Sequence, residues 1–319
     1  MKKPLVSICI PTHNRLEFLK KSLQSALNQT YPNIEIVISD NSSDKKTKEY
    51  VQSLTNNKIR YYYDPERSTS FLNAHYPVKI AKGEYIKWLP DDDILFPKCV
   101  EKMVDVLNKY PSVGVVMAPL RIIDSTDKPI TPYFYFFRKM EYLYKYKNKD
   151  TYVEQGKAMN DYLTNIYPCA VPTGFMFRKE LYEDPDPKFQ FIGDIDLCMN
   201  FATKTDFYYI DEFLSAWRYS PSSETVSVLH SKGSESDIFY RITKKYLKYA
   251  KSPQKAFFFA SKRTTLNIVA GLRSNNPKLI IETIKTILYN DPYILNKLYL
   301  PFDILFEVLK SFIPYEKKR

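Results

Sequence analysis

Glycine is scarce in this chain, seven in 319 residues. None falls in Pro11–Arg15, just behind the first apolar run. A nucleotidyltransferase would want a glycine-rich phosphate loop there, so this shortage counts against that class. Histidine is scarcer still. His13, His75 and His230 stand far apart and match no metal-ligand spacing. The four cysteines, Cys9, Cys99, Cys169 and Cys198, form no ligand-like pair, so free, mostly buried thiols in a reducing cytoplasm are expected. No apolar run approaches the length that spans a bilayer. The opening MKKPLVSICIP is not expected to act as a signal peptide, because its apolar run is short and stops at Pro11. Zinc-finger and aromatic–basic single-strand-binding patterns are also missing. The net charge of +11 therefore points away from nucleic acid and toward an anionic membrane or a phosphate-bearing substrate.

What is present reads as an ordinary globular α/β chain, 44% apolar and 26% charged. Leu5 to Ile10 is a short, partly β-branched run that predicts a buried strand. Asn14 to Glu17 has the spacing of a capping box, and Leu16, Leu19, Leu23, Ala26 and Leu27 recur at helical period behind it. Further strands are expected at Ile34 to Ser39, Ile59 to Tyr63, Glu84 to Leu89 and Val113 to Met117. Helices are expected at Lys46 to Leu54 and from Pro97. Such alternation predicts a mostly parallel sheet covered by helices. Residues 125–160 hold no clean period and read as an insertion or a long active-site region; the Tyr-rich stretch 133–152 would line an acceptor groove or simply pack. Strand character resumes at Val171 to Phe177, Phe207 to Ile210 and Leu214 to Trp217, with a helix at Asp194 to Thr203. From about Ser236 the pattern is helical. Asn276 and Pro277 open one helix with Ile280, Ile284, Ile287 and Leu288 on one side, and the last helix is expected near Leu298 to Ile313. The boundary is placed at 230, giving a domain at 1–230 and a helical extension at 231–319.

Two acidic loops follow predicted strands: Asp40 to Asp44, and Asp91, Asp92 and Asp93. In an open parallel sheet such loops share one edge, where ligands bind. Asp40 and Asp44 would equally cap a turn and a helix. Three adjacent carboxylates exceed what a cap needs, and a divalent cation held by one or two carboxylates plus substrate phosphates suits them. A further acidic spot is Gly193-Asp194-Ile195-Asp196-Leu197, where Asp194 would cap a helix or face the cleft.

Over roughly residues 4–220 the chain resembles the family 2 glycosyltransferases of GT-A fold. The resemblance is carried, in order, by VSICIPTHNR (Val6 to Arg15), SLQSALNQTY (Ser22 to Tyr31), IEIVISDNSS (Ile34 to Ser43), AKGEYI (Ala81 to Ile86) and LPDDDI (Leu89 to Ile94). It implies inverting transfer of a sugar from a nucleotide-sugar, usually a UDP-sugar, to a hydroxyl of a glycan or lipid-linked acceptor in surface-glycan assembly. It implies that Pro11, Thr12, Asn14 and Arg15 form the nucleotide loop and that Asp40 reads the base. Asp91 would face the ribose or phosphates, with Asp92 as ligand of Mn²⁺ or Mg²⁺ and Asp93 beside it. Asp194 would be the catalytic base, with Asp196 as the alternative. Arg218 would clamp the diphosphate, with Arg67 a second choice. Three positions depart from the family pattern: Pro90, Gly193 and Ser220 stand where an aspartate, a glutamate and a histidine are common. The departures keep open a catalytically inactive sugar-binding subunit as an alternative. The lysine-flanked helices of the tail are expected to pack, to form a homo-oligomer or to touch an anionic membrane, which would put the enzyme in the cytoplasm, peripheral on the inner membrane face.

Overall fold

The computed structural model describes residues 3–67, 69–130, 149–164, 171–220, 237–273 and 275–293. They belong to two compact units. One draws on residues 1–123, 140–158 and 169–218; the other on 124–139, 159–168 and 219–319.

The first unit is built on an eight-stranded sheet. In chain order its strands are β1 (Val6–Thr12), β2 (Ile34–Asp40), β3 (Ile59–Tyr63), β4 (Tyr85–Trp88), β6 (Val113–Met117), β8 (Thr151–Val153), β9 (Phe175–Arg178) and β10 (Asp206–Tyr209), and across the sheet they run β3-β2-β1-β4-β9-β6-β10-β8. The four at the β3 end are all parallel; β9 runs antiparallel between β4 and β6, and β8 closes the other edge antiparallel to β10. A small second sheet pairs β5 (Ile94–Leu95) and β7 (Leu120–Ile123) with β11 (Ser215–Arg218). All of β2 and all of β1 but Pro11 are buried, as expected of strands covered on both faces.

Helices cover the sheet. α1 (Leu16–Leu27) buries Leu19, Leu23 and Ala26, the stripe expected from its period, and α4 (Cys99–Lys109) buries Val100, Met103, Val104 and Leu107. α2 is Lys46–Ser53. α3 (Ser70–Ile80) escapes the sequence pattern because Pro77 lies inside it; Thr69 caps it by accepting from the Leu72 N–H.

Several expectations are corrected. The capping box does not form. Asn14 takes a left-handed φ of 54°, the helix is preceded by Arg15 with no side-chain cap, and the Asn14 side-chain Oδ1 accepts instead from the Ser43 N–H at 2.9 Å. Pro97 precedes α4 by two residues. Pro172–Gly174 is a 3₁₀ turn, so the strand expected from Val171 begins only at Phe175. The patternless stretch contains β8 and a regular helix, α5 (Gln155–Thr164). Most of the Tyr-rich stretch and the helix expected at Leu298 to Ile313 lie outside the described residues.

Gly193–Phe201 forms α6. In the second unit α7 (Ile238–Tyr246), α8 (Pro253–Thr264), α9 (Leu266–Arg273) and α10 (Pro277–Asn290) follow one another. Asn276 caps α10 through the Leu279 N–H. Its buried face is Leu279, Thr283 and Ile287, one position out of step with the stripe read from the sequence. Among the described residues no helix is long and apolar enough to cross a membrane.

Candidate active site

Three loops leave one edge of the large sheet. Parallel pairing sets Thr12 of β1 against Asp40 of β2, and Cys9 of β1 against Trp88 of β4, so the segments after β1, β2 and β4 emerge together.

Side chains then tie these loops to one another. Thr12 Oγ1 donates to Asp91 Oδ2 at 2.7 Å. Arg15 reaches both Asp91 and Asp92: Nη2 lies 2.7 Å from Asp91 Oδ1, an ion pair outside hydrogen-bond alignment, and Nη1 donates to Asp92 Oδ2 at 2.8 Å. The Asn14 N–H donates to Ser42 Oγ at 2.8 Å. Asn73 of α3 donates to the Thr12 carbonyl at 2.9 Å and accepts from Ser39.

The acidic loop divides its carboxylates among different tasks. Asp91 is fully buried. Burial pushes its carboxyl up to about 7 although Arg15 pulls it down, and Asp92 adds repulsion. Asp93 is buried too, and its oxygens accept from the Thr173 hydroxyl and from the Arg218 backbone N–H. Asp92 is the one whose side chain reaches solvent, 12% exposed against 0% for Asp91. Its backbone carbonyl accepts from Arg218 Nε at 2.7 Å.

Arg218 is therefore fully buried and holds the loop from behind, with its guanidinium 5.1 Å from the Phe18 ring centroid. Arg67 stacks 3.9 Å from the Tyr76 ring centroid and donates to Ser39 Oγ. Asp40 is buried with both oxygens engaged, one by the Ser42 N–H at 2.8 Å and one by the Tyr61 hydroxyl at 2.5 Å.

The two aspartates of α6 differ. Asp196 is buried and accepts from the Asp186 N–H. Asp194 is half-buried. Burial pushes it up to about 7, against the pull of the Ile195 N–H, which donates to it at 2.8 Å. Where the resemblance expects a glutamate, Gly193 has neighbours that leave no space: a Cβ there would lie 2.9 Å from the Phe71 ring and 3.8 Å from His75 Nε2.

One supporting residue escaped sequence reasoning. Lys87, inside β4, is fully buried and donates to the carbonyls of Thr173 at 2.5 Å and Phe175 at 3.1 Å. Its signal was a lysine within an otherwise apolar strand run.

As for a divalent metal, no three His, Cys, Asp or Glu among the described residues converge as a ligand set. The donor chemistry suits the ion only with Asp92 as one carboxylate ligand and substrate phosphates as the others.

Residues 7–184, more than half of the chain, match the family model described as Glycosyl transferase family 2, and the chain belongs to that family, whose members invert the transferred sugar's anomeric centre. An uncharacterised glycosyltransferase of Rickettsia conorii is 46% identical over 114 residues, which cover 35% of this chain and 19% of that protein. The chain thus spans about a fifth of that relative's length. In structure the chain is similar to residues 1–349 of S. aureus TarS in complex with UDP-GlcNAc, with a TM-score of 0.64, 12% identity, and coverage of 96% of this chain and 89% of that one. It is also similar to the mannosyltransferase PcManGT from Pyrobaculum calidifontis in complex with GDP-Man and Mn²⁺, with a TM-score of 0.58, 13% identity, and coverage of 98% and 86%. The fold is GT-A.

Proposed function

We propose that the chain transfers a sugar, with inversion, from a UDP-sugar to a hydroxyl of a glycan or lipid-linked acceptor in surface-glycan assembly, and that transfer depends on a divalent metal. The observation that carries this reading is the joining of the β1 loop to the acidic loop by Thr12–Asp91 and by Arg15 on Asp91 and Asp92. It sets a cation and a solvent-facing carboxylate at the strand ends, where a diphosphate would lie.

In this reading Pro11, Thr12, Asn14, Arg15 and Asp91 shape the nucleotide subsite, and Asp40 holds the base-side loop through Ser42 and Tyr61. Asp92 is the metal ligand and Asp93 positions the loop. When bound, the ion would offset charge on the leaving diphosphate. Asp194 takes the proton from the acceptor hydroxyl as its oxygen attacks the anomeric carbon, and a carboxyl raised toward neutrality suits that task. Asp196 braces the turn at Asp186. Arg218 keeps the Asp92 backbone in place. The catalytic portion is residues 1–230 and the helical extension 231–319. TarS bound to UDP-GlcNAc supports a UDP-sugar as donor, and PcManGT bound to GDP-Man and Mn²⁺ supports the metal.

Calorimetric titration of UDP, with and without Mn²⁺, tests the proposal on the wild type and on Asp92→Asn. Metal-dependent binding that disappears in the variant is expected. Binding that ignores both metal and variant would remove the metal from the mechanism, and a complete lack of UDP binding would remove the UDP-sugar.

A further inference from the structure

We infer that the outward face of α10 is a docking surface for an anionic lipid bilayer. Residues 237–293 hold eleven Lys or Arg against three Asp or Glu, so most of the +11 charge of the whole chain is concentrated here. Asp291, buried against the Ser261 hydroxyl, and Arg263, also buried, give the surface nothing, and their charges cancel.

α10 is apolar on two sides. Its inner side, Leu279, Thr283 and Ile287, is buried. Close packing of the preceding helix fixes which side turns inward, since a Cβ at Gly271 would lie 2.7 Å from Ile280 Cγ1. The other side carries Ile281, Ile284 and Leu288, which are 53%, 43% and 58% exposed and follow the spacing i, i+3, i+7 of a single stripe. Tyr289, 90% exposed, stands at the end of the helix, turned about 100° from the stripe. Scattered exposed apolar residues are ordinary, but a stripe of them is not. Lys278, 4.0 Å from Glu282, and Lys285 stand along one margin of this stripe. Beyond its end Lys244 of α7 donates to Asn290 at 3.0 Å, which brings a basic helix end alongside.

The chemistry of this face selects its occupant. A second copy would need roughly 800 Å² per partner for a stable contact, and four partly exposed side chains offer a few hundred. A dissolved polyanion would satisfy the lysines and leave the apolar stripe in water. A bilayer with anionic headgroups takes both, with Ile281, Ile284, Leu288 and the Tyr289 ring at the headgroup–acyl boundary and the lysines at the phosphates. The inference deepens the lipid-linked acceptor proposed above and rests on that reading for its biological sense only.

The test is flotation of the full chain with vesicles of pure phosphatidylcholine and with vesicles enriched in phosphatidylglycerol. The wild type is expected to float with the anionic vesicles alone. The Ile284→Asp/Leu288→Asp variant is expected to lose that partition by about tenfold or more, with an unchanged melting curve because both positions are exposed. In Leu288→Trp, indole emission should shift to the blue when anionic vesicles are added. The inference is overturned if the wild type stays in solution at low salt. It is overturned equally if the double variant floats as well as the wild type, or if the double variant changes oligomeric mass rather than flotation. UDP titration of the same variants keeps the result separate from the transferase reading, since that binding should not change.

Discussion

Arg15 Nη1 lies 2.8 Å from Asp92 Oδ2, and the same guanidinium lies 2.7 Å from Asp91 Oδ1. One cation from the first loop thus serves two carboxylates of another, 76 and 77 positions further along the chain. A divalent ion approaching Asp92 would meet a positive charge already there. Without nucleotide, Mn²⁺ should therefore bind weakly, and Arg15→Gln should strengthen that binding by about tenfold. Titration of the protein against free Mn²⁺, followed by electron paramagnetic resonance, checks this; equal affinities would show that Arg15 does not compete for Asp92.

Asp194→Asn should lower turnover by about 10²- to 10⁴-fold while leaving UDP affinity unchanged. The same variant has a stability signature whose sign follows from proton linkage. The folded carboxyl holds its proton up to about 7, and the unfolded one releases it near 3.8. Its contribution to stability is thus complete below about 4 and is lost as the pH rises through about 7. The asparagine variant should accordingly melt close to the wild type at pH 4 and above it at pH 8. Thermal scans at the two pH values decide; a melting difference independent of pH would mean that the Asp194 carboxyl is not held protonated by the fold.

Lys87→Met keeps the length of the side chain and removes the donors to the Thr173 and Phe175 carbonyls. The Thr173 carbonyl keeps its bond from the Ser215 hydroxyl, so the loss falls mainly on the Phe175 carbonyl and stability should drop by about 1–3 kcal/mol, seen as a lower urea midpoint. A midpoint unchanged from wild type would mean that the buried ammonium contributes nothing net.

Gly193→Ala would press a Cβ against the Phe71 ring at 2.9 Å. The expected cost is about 1–3 kcal/mol. Most of that cost should vanish when Phe71 is truncated to alanine as well, which a double-mutant cycle reads directly. Additive losses would place the strain elsewhere.

Much of this fold was legible because buried parallel strands are short apolar runs. Val113–Met117 and Ile59–Tyr63 begin and end where the sequence puts them, and β1 and β2 run at most two residues past their expected ends. α3 was hidden by Pro77. The Asn14–Glu17 spacing misled because Ser42 and Ser43, distant in sequence, draw Asn14 into a left-handed turn. The acidic loop could be found from its three aspartates, but not its internal division of labour. That depends on Thr12, Arg15, Thr173 and Arg218 arriving from three other segments. For the same reason no local pattern marks Asp40 as a carboxylate satisfied by Tyr61.

Thr173 is where several of these threads meet. Its carbonyl receives Lys87 of β4 and Ser215 of β11, and its hydroxyl donates to Asp93. The Pro172–Gly174 turn is thereby fastened to the loop proposed to hold the donor's metal. A lineage of such chains that altered this threonine would disturb donor handling in the same step. New acceptor preferences would be easier to acquire at positions that leave this junction untouched, so substrate range and catalytic competence need not be traded against each other.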